Sequence, residues 1–283
     1  MDMDGGKEII KKHFLIVALF IPMALLYCKP VLWMVGTWND KYVSHYTPGP
    51  WVLFLSLWVV YLKLPGLRKL PAEGNAAGLY VIIFAFLLDI FALRADLNRI
   101  ALVSLVIFLF GFILYFFGKN FIKALWFPMA YLLFMVPMGF LDSLVGLPLR
   151  FFVTDVSAAF FNMIDSLDYV KGTVICLKNI GPLNIDAPCS GLNSMISLAA
   201  VGAVFSYLTQ KTVFRKWLLF LLSLPIAVAA NIMRVILIGM VAQGISPEIA
   251  LVRLHYFWGF FVFALALAMF ILSGYLIRWK TEK

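Results

Sequence analysis

The chain of 283 residues is 64% hydrophobic and 13% charged. Soluble domains carry about 25% charged residues, so this chain has too little polar surface to cover a globule. Apolar runs long enough to cross a bilayer recur along its length. The composition therefore excludes a soluble enzyme, a disordered chain and a disulfide scaffold, and it predicts an all-α polytopic membrane protein.

The net charge of +9 does not indicate a nucleic-acid partner, because the basic residues form short clusters between apolar runs. Clusters of this kind beside membrane spans are topology signals. The three cysteines, Cys28, Cys176 and Cys189, are too few for a disulfide framework, and their odd number leaves one thiol unpaired within the chain. Since the sequence shows no credible cluster of metal ligands, we expect neither a metal nor a cofactor.

In chain order, the apolar runs predict about eight transmembrane helices in a single membrane domain covering residues 1–283. Their approximate ranges are 14–28, 51–64, 77–93, 99–118, 121–141, 189–208, 217–243 and 255–277. The first run follows a basic N-terminus but lacks a small-residue cleavage site, so we expect an uncleaved span.

Two outer loops, 29–50 and 142–188, separate these spans. Within the second loop, polar residues interrupt the stretch 149–168, which predicts a short helix at the membrane interface and not a span. With eight spans, both termini lie inside and most Lys and Arg residues fall on the inner side, in agreement with the positive-inside rule. Further along, 172–177 and 182–185 flank a turn-like tetrapeptide, which suggests a β-hairpin.

Arg234 stands out as a charged residue inside a predicted span. It lies about 26 Å along a helix from Trp217, near the outer side of a hydrocarbon core about 30 Å thick. An arginine at this depth can simply extend its side chain to the interface. Asn231, three residues earlier, shares the same helix face and can hydrogen-bond there, which favours a functional role.

Cys189 lies where the long outer loop meets a predicted span. A helix N-terminus stabilises a thiolate, and the N–H groups of Ser190 and Gly191 could bind a developing oxyanion. A cysteine in an apolar chain is more often a small buried hydrophobic residue, so both interpretations stand at this point. Asp186 could orient a histidine or cap the helix.

His255 opens the last predicted span at the outer boundary, and Gly259 follows one turn later, where a backbone can approach closely. A histidine beside aromatic residues is often part of the interfacial belt, and the same holds for His45 in the first outer loop. Against that, a thiol, a guanidinium and an imidazole on three separate spans all fall on the outer side. Together they are the groups of a nucleophile, an anion clamp and a general acid–base.

A transporter or lipid-carrier protein without covalent chemistry is the competing hypothesis. It would use Arg234 and Asn231 as an anion site, with Cys189 serving only as packing. Transporters often contain inverted repeats, and the sequence shows none. A membrane scaffold is a third hypothesis, and it leaves Arg234 unexplained.

Three motifs resemble the signatures of the exosortase/archaeosortase family. They are Pro188-Cys189-Ser190-Gly191-Leu192, Asn231-x-x-Arg234-Val235 and His255-x-x-x-Gly259. The segment from Trp38 to His45 is similar to that family's first outer loop, and the segment 127–137 is similar to the one before its long outer region. The motifs occur in the family's order, over roughly residues 36–65 and 121–265.

The resemblance implies an integral membrane cysteine transpeptidase or protease. Cys189 is expected to be the nucleophile, His255 the general acid–base and Arg234 the stabilising cation. Supporting roles are expected for Ser190, Gly191, Asn231, His45 and Asp186. The expected substrates are exported proteins whose C-terminal tail has a short motif, a membrane helix and a basic cluster.

The same resemblance implies a membrane lipid or a glycan as acceptor when the enzyme transfers its substrate. Together with the charge pattern, it places the chain in the cell (inner or cytoplasmic) membrane as a multi-pass protein. Both termini are expected in the cytoplasm and the active site at the outer face.

Overall fold

The computed structural model describes residues 23–39, 48–137, 142–178, 180–185, 192–244 and 254–279. The chain divides into two compact units, one formed by residues 1–44 and 49–137 and the other by residues 45–48 and 138–283. Each unit has its own packed core, and each is described separately below.

The described residues are mainly helical, which confirms the predicted all-α polytopic class. The helices are α1 (23–39), α2 (Gly49–Leu67), α3 (Ala77–Arg94), α4 (Asn98–Phe117), α5 (Lys119–Tyr131), α6 (Leu147–Met163), α7 (Leu192–Thr209), α8 (Val213–Gly244) and α9 (Leu254–Trp279). A 3-10 turn, Leu132–Met135, continues α5, and a π-helical turn, Asp142–Gly146, leads into α6.

The predicted count of eight spans is not confirmed. Among the described residues, six helical stretches are long and apolar enough to cross a membrane: Gly49–Leu67, Ala77–Arg94, Asn98–Phe117, Leu144–Met163, Val213–Gly244 and Gly259–Arg278. The fourth includes most of the stretch that the sequence assigned to an interfacial helix. Its polar residues Asp155 and Asn162 fall within a helix whose mean hydropathy is still 1.5. Conversely, the described part of the predicted span 121–141 is formed by the 13-residue α5, the short 3-10 turn and two further residues.

In the first unit, α3 and α4 form a close antiparallel hairpin with glycines at their contact. A Cβ atom at Gly78 would collide with the backbone of Tyr115, and one at Gly111 would lie 2.9 Å from the Ile82 nitrogen. Small residues let membrane helices approach until their backbones touch, which increases the dispersion contacts that hold them together. Helix α1 packs against this hairpin.

Helix α1 continues through residues 29–39, which the sequence assigned to the first outer loop. The predicted span ended at residue 28, but the helix continues, and Lys29 Nζ lies 3.0 Å from Asp96 Oδ1, so its charge is paired. Further along α1, the guanidinium of Arg99 lies 6.0 Å from the Trp33 ring. Trp38 Nε1 then donates to the Met135 carbonyl at 3.1 Å.

Helices α2 and α5 are joined where proline disturbs the hydrogen bonding of α5. Pro128 has no N–H, so the Ala124 carbonyl loses its usual helical donor, and Lys63 Nζ donates to that carbonyl at 2.7 Å. The N–H of Leu132 bonds to Met129, one residue short of the α-helical acceptor, and Ser56 Oγ donates to the Pro128 carbonyl at 2.8 Å. Polar side chains of α2 therefore satisfy carbonyls that α5 itself cannot.

In the second unit, a three-stranded antiparallel sheet follows α6: β1 (Leu167–Lys171), β2 (Val174–Leu177) and β3 (Gly181–Asn184). The β2–β3 pair confirms the predicted hairpin, with Val174 opposite Asn184 and Leu177 opposite Gly181. Strand β1 was not predicted. Four of its five residues are exposed, so the strand lacks the alternation of apolar and polar residues that indicates a strand in a sequence.

The remaining helices of this unit, α7, α8 and α9, pack around a separate apolar cluster. Its fully or nearly fully buried members include Leu198, Leu219, Ala227, Val262 and Phe270. Close packing again depends on small residues, because a Cβ atom at Gly202 would lie 3.1 Å from the Phe270 ring. This bundle contains the candidate site.

Candidate functional site

Arg234 lies in the apolar part of α8. Between Lys216 and Gly244 the sequence of this helix holds no other charged residue. The side chain of Arg234 is partly buried, and Asn231, one turn earlier, is 2% exposed. Burying an arginine within a membrane has a high free-energy cost, so such residues usually serve a function. This turn of α8 is therefore the centre of the candidate site.

The guanidinium of Arg234 packs against Gly259 of α9. A Cβ atom at position 259 would lie 3.6 Å from both Cζ and one terminal nitrogen of Arg234, and 3.8 Å from its Nε. Because these three distances are nearly equal, the guanidinium turns its flat side toward Gly259. The sequence predicted that another backbone could approach Gly259 closely. In the structure, the group that lies against Gly259 is the guanidinium of Arg234.

Helices α8 and α9 run antiparallel along this contact. Arg234 meets Gly259 at one level, and Leu219 lies beside Gly274 further along, where a Cβ atom on the glycine would be 3.2 Å from the leucine. Position 255 is four residues before Gly259 in α9, so it lies on the same side of the helix one turn closer to its beginning. The helix geometry therefore places the His255 position near the level of Arg234.

A narrow cleft beside Arg234, with room for about one water molecule, lies between α7, α8 and α9 and is partly open to the outside. Polar groups occupy one part of its lining, namely Arg234, Asn231 and Ser194. Small or apolar residues form the remainder, and they are Leu198, Ala227, Ala230, Gly259, Val262, Phe263 and Ala266. The cleft therefore offers a single acceptor atom, such as an oxygen, hydrogen-bonding groups on one side and apolar contacts on the other.

An adjacent face of α8 is held by α6 and the sheet. Val235 and Ile238 are buried in one apolar cluster with Phe161, Ile175 and Leu183. Gly239 lets Phe161 approach so closely that a Cβ atom there would overlap the phenyl ring. This packing fixes the rotation of α8 about its axis, and it thereby holds Arg234 toward α9.

Several of the predicted site residues lie outside the described residues. They are Cys189, Ser190, Gly191, Asp186 and His45. For His255 the structure describes the helix backbone at the start of α9 but not the side chain. The structure thus brings Arg234, Asn231 and Gly259 together, and the contacts of the proposed nucleophile and acid–base remain predictions.

The sequence analysis missed the small residues of the cleft. Ala230 and Asn231 lie three and four positions after Ala227, and Arg234 lies four and three positions after them, so all four residues share one face of α8. This periodicity would have indicated a helix face of alanines leading to the polar pair. Ser194, five positions after Cys189, was also overlooked. Within the described residues, no group of three or more His, Cys, Asp or Glu side chains could hold a metal ion.

The fold and this site define a polytopic membrane protein with a cationic site between its last three helices. The chain belongs to the transmembrane exosortase (EpsH) family, whose model matches residues 38–272. The matched range includes the segment around Cys189, the Asn231–Arg234 turn and the His255–Gly259 turn. No curated protein and no solved structure matches the chain.

Proposed function

We propose that this exosortase is a membrane cysteine transpeptidase or protease that cleaves a C-terminal sorting tail from exported proteins. The observation that supports this most directly is the contact of the Arg234 guanidinium with Gly259, one turn after the His255 position. It joins two of the three family motifs in space although 25 positions separate them in sequence. The third motif, around Cys189, immediately precedes α7, which contributes Ser194 and Leu198 to the same cleft.

In the proposed reaction, the Cys189 thiolate attacks the scissile carbonyl of the tail and forms a thioester. The carbonyl oxygen becomes an oxyanion, and the N–H groups of Arg234 stabilise it. Protonated His255 donates its proton to the leaving amine and then accepts a proton from the incoming acceptor. Water as the acceptor gives hydrolysis, whereas an amine or hydroxyl of a lipid or glycan gives a new covalent anchor.

Arg234 suits this role because of its surroundings. Apolar side chains of α7 and α9 line the cleft beside it. In such a low-dielectric setting a charge-assisted hydrogen bond to a developing oxyanion is stronger than it would be in water. The scissile bond of the tail would lie at the opening of this cleft.

We further propose that the active site faces the outer side of the cell membrane and that both termini are cytoplasmic. The clusters of basic residues between the apolar runs support this orientation. The basic cluster of a substrate tail would then remain on the inner side, attracted by anionic lipid.

The test is co-expression with an exported reporter that ends in a tail of motif, membrane helix and basic cluster. Wild type should shorten the reporter, and Cys189→Ala should not, although it should reach the membrane in equal amount. Cys28→Ala and Cys176→Ala are matched controls that should process normally, because neither residue lies in the proposed mechanism. The mass of the product separates hydrolysis from transfer.

Two outcomes would contradict the proposal. Processing by both wild type and Cys189→Ala would exclude cysteine catalysis and would favour a noncovalent anion carrier based on Arg234 and Asn231. Failure of Cys28→Ala alone, at normal expression, would show that the nucleophile is wrongly assigned.

A further inference from the structure

The first unit contains a buried carboxyl group that the proposed mechanism does not use. Asp89, in the middle of the apolar helix α3, has 0% of its surface exposed. It lies on the same face of α3 as Ile82 and Ala85, which belong to a buried cluster with Tyr27 and Phe108. A carboxylate in such a place would lose its hydration, and the described residues supply no counter-ion, so its free-energy cost is high.

Ser104 of α4 connects Asp89 to α1. Its Oγ lies 2.7 Å from the Ala101 carbonyl, 3.1 Å from Tyr27 Oη and 3.5 Å from Asp89 Oδ1. A serine hydroxyl has one proton to donate and two lone pairs that accept. A Ser104 hydroxyl that donates to its nearest acceptor, the Ala101 carbonyl, cannot also donate a strong hydrogen bond to Asp89, whose contact of 3.5 Å is long. Asp89 therefore has little hydrogen bonding that would stabilise a negative charge.

The other charged groups nearby do not change this conclusion. Among the described residues of α1, Tyr27 is the ionisable group that interacts with Asp89, and α4 contributes the uncharged Ser104. The charged residues Lys29, Asp96 and Arg99 belong to the exposed end of these helices, and Asp96 is about 10 Å further along the direction of α3. Asp89 Oδ2 has no hydrogen-bond partner among the residues that the structure describes.

We propose that Asp89 is a proton-binding site and that its proton is required for α1 to dock on the α3–α4 hairpin. Ionisation would place an uncompensated negative charge in this buried interface. Tyr27 of α1 contacts Ser104 beside Asp89, so separation of α1 from the hairpin would let water hydrate the carboxylate, and ionisation therefore weakens docking. The site is separate from the cleft at Arg234, and it does not depend on the proposed catalytic function.

The first test is infrared spectroscopy of the purified full-length protein in lipid vesicles. Wild type should show the C=O band of a protonated carboxyl group at pH 5, above a free aspartic acid's pKa of about 3.9. Asp89→Asn should lose that band, and the matched control Asp96→Asn, which removes an exposed carboxylate, should keep it. Ser104→Ala should shift the band because it removes the polar neighbour of the carboxyl group. Absence of the band from wild type at pH 5 would overturn the proposal.

The second test measures the docking of α1. Trp33→Cys and Arg99→Cys are introduced together in a chain whose native cysteines are replaced by Ala, and a short bismaleimide joins the new pair. The cross-linking yield is divided, at each pH, by that of the same chain carrying Asp89→Asn. This ratio should fall by half or more over the pH range in which the infrared band disappears. A ratio that stays constant while the band disappears would show that the proton does not control docking.

Discussion

The flat side of the Arg234 guanidinium lies against Gly259, with Cζ 3.6 Å from the place of a Cβ atom. This distance is an ordinary van der Waals contact, so a methyl group would also fit at position 259. A longer side chain would occupy the space of the guanidinium. Packing between α8 and α9 therefore controls where the cation points.

The first prediction concerns the size of residue 259. Gly259→Ala should retain most of the processing activity, because a methyl group fits at this distance. Gly259→Leu should reduce activity by about 100-fold, the loss seen when a single oxyanion donor is displaced. Initial rates of reporter cleavage, normalised to the amount of protein in the membrane, measure both. Equal loss in the two variants would indicate that Gly259 has a backbone role instead.

The second prediction concerns the shape of the cation. Arg234→Lys should reduce turnover by about 10²–10³-fold, because an ammonium group lacks the planar fork that can lie on Gly259 and still donate to an oxyanion. Arg278→Lys, in the last turn of α9 and exposed, is the matched control and should be neutral. Near-normal activity of Arg234→Lys would show that charge alone is sufficient.

The third prediction uses the pairing of Lys63 with the Ala124 carbonyl. Lys63→Met should lower the free energy of unfolding by about 1–3 kcal/mol, because it leaves a carbonyl without a donor. Restoring an N–H with Pro128→Ala should make the Lys63→Met change milder, since α5 can then satisfy Ala124 itself. Unfolding in mixed detergent micelles, followed for the two single variants and the double variant, gives the coupling energy. Additive effects would mean that Lys63 stabilises α2 by another contact.

The fourth prediction concerns pH and the turn that follows α6. Lys178 donates a hydrogen bond of 2.7 Å to Asp165, and this bond lowers the pKa of the Asp165 carboxyl. The ionised form is therefore favoured in the folded state. The stabilisation is present above the pKa of an unpaired aspartic acid, about 3.9, and is lost as the pH falls through the lower folded-state value.

Amide hydrogen exchange at Lys178, whose N–H donates to the Ser166 carbonyl, reports this turn. Its protection should decrease on acidification in wild type and should be insensitive to pH in the same range in Asp165→Asn. The effect should be small and should weaken in high salt, because both side chains are solvent-exposed. Identical pH profiles for the two proteins would contradict the assignment.

Much of the fold follows from the order of the residues along the chain. The scarcity of charge predicts a polytopic membrane protein, because too few polar side chains exist to cover a core. The β2–β3 hairpin is predicted by the turn-like tetrapeptide between its strands. The extent of α1 and the membrane-spanning length of α6 were less predictable. Lys29 ends a hydrophobic run in sequence, yet α1 continues beyond it, and Lys29 pairs with Asp96, 67 positions away.

The site shows the same division between local and long-range information. Arg234, Asn231 and Gly259 are unusual in their own helices, so each could be selected from its immediate neighbours. Their convergence depends on the antiparallel packing of α8 on α9 and on the cluster of Val235 and Ile238 with Phe161, which sets the rotation of α8. The alanines of the cleft and the Tyr27–Ser104–Asp89 group are less conspicuous among their sequence neighbours. Their roles depend on contacts between distant helices, because burial and hydrogen-bond partners are properties of the packed chain.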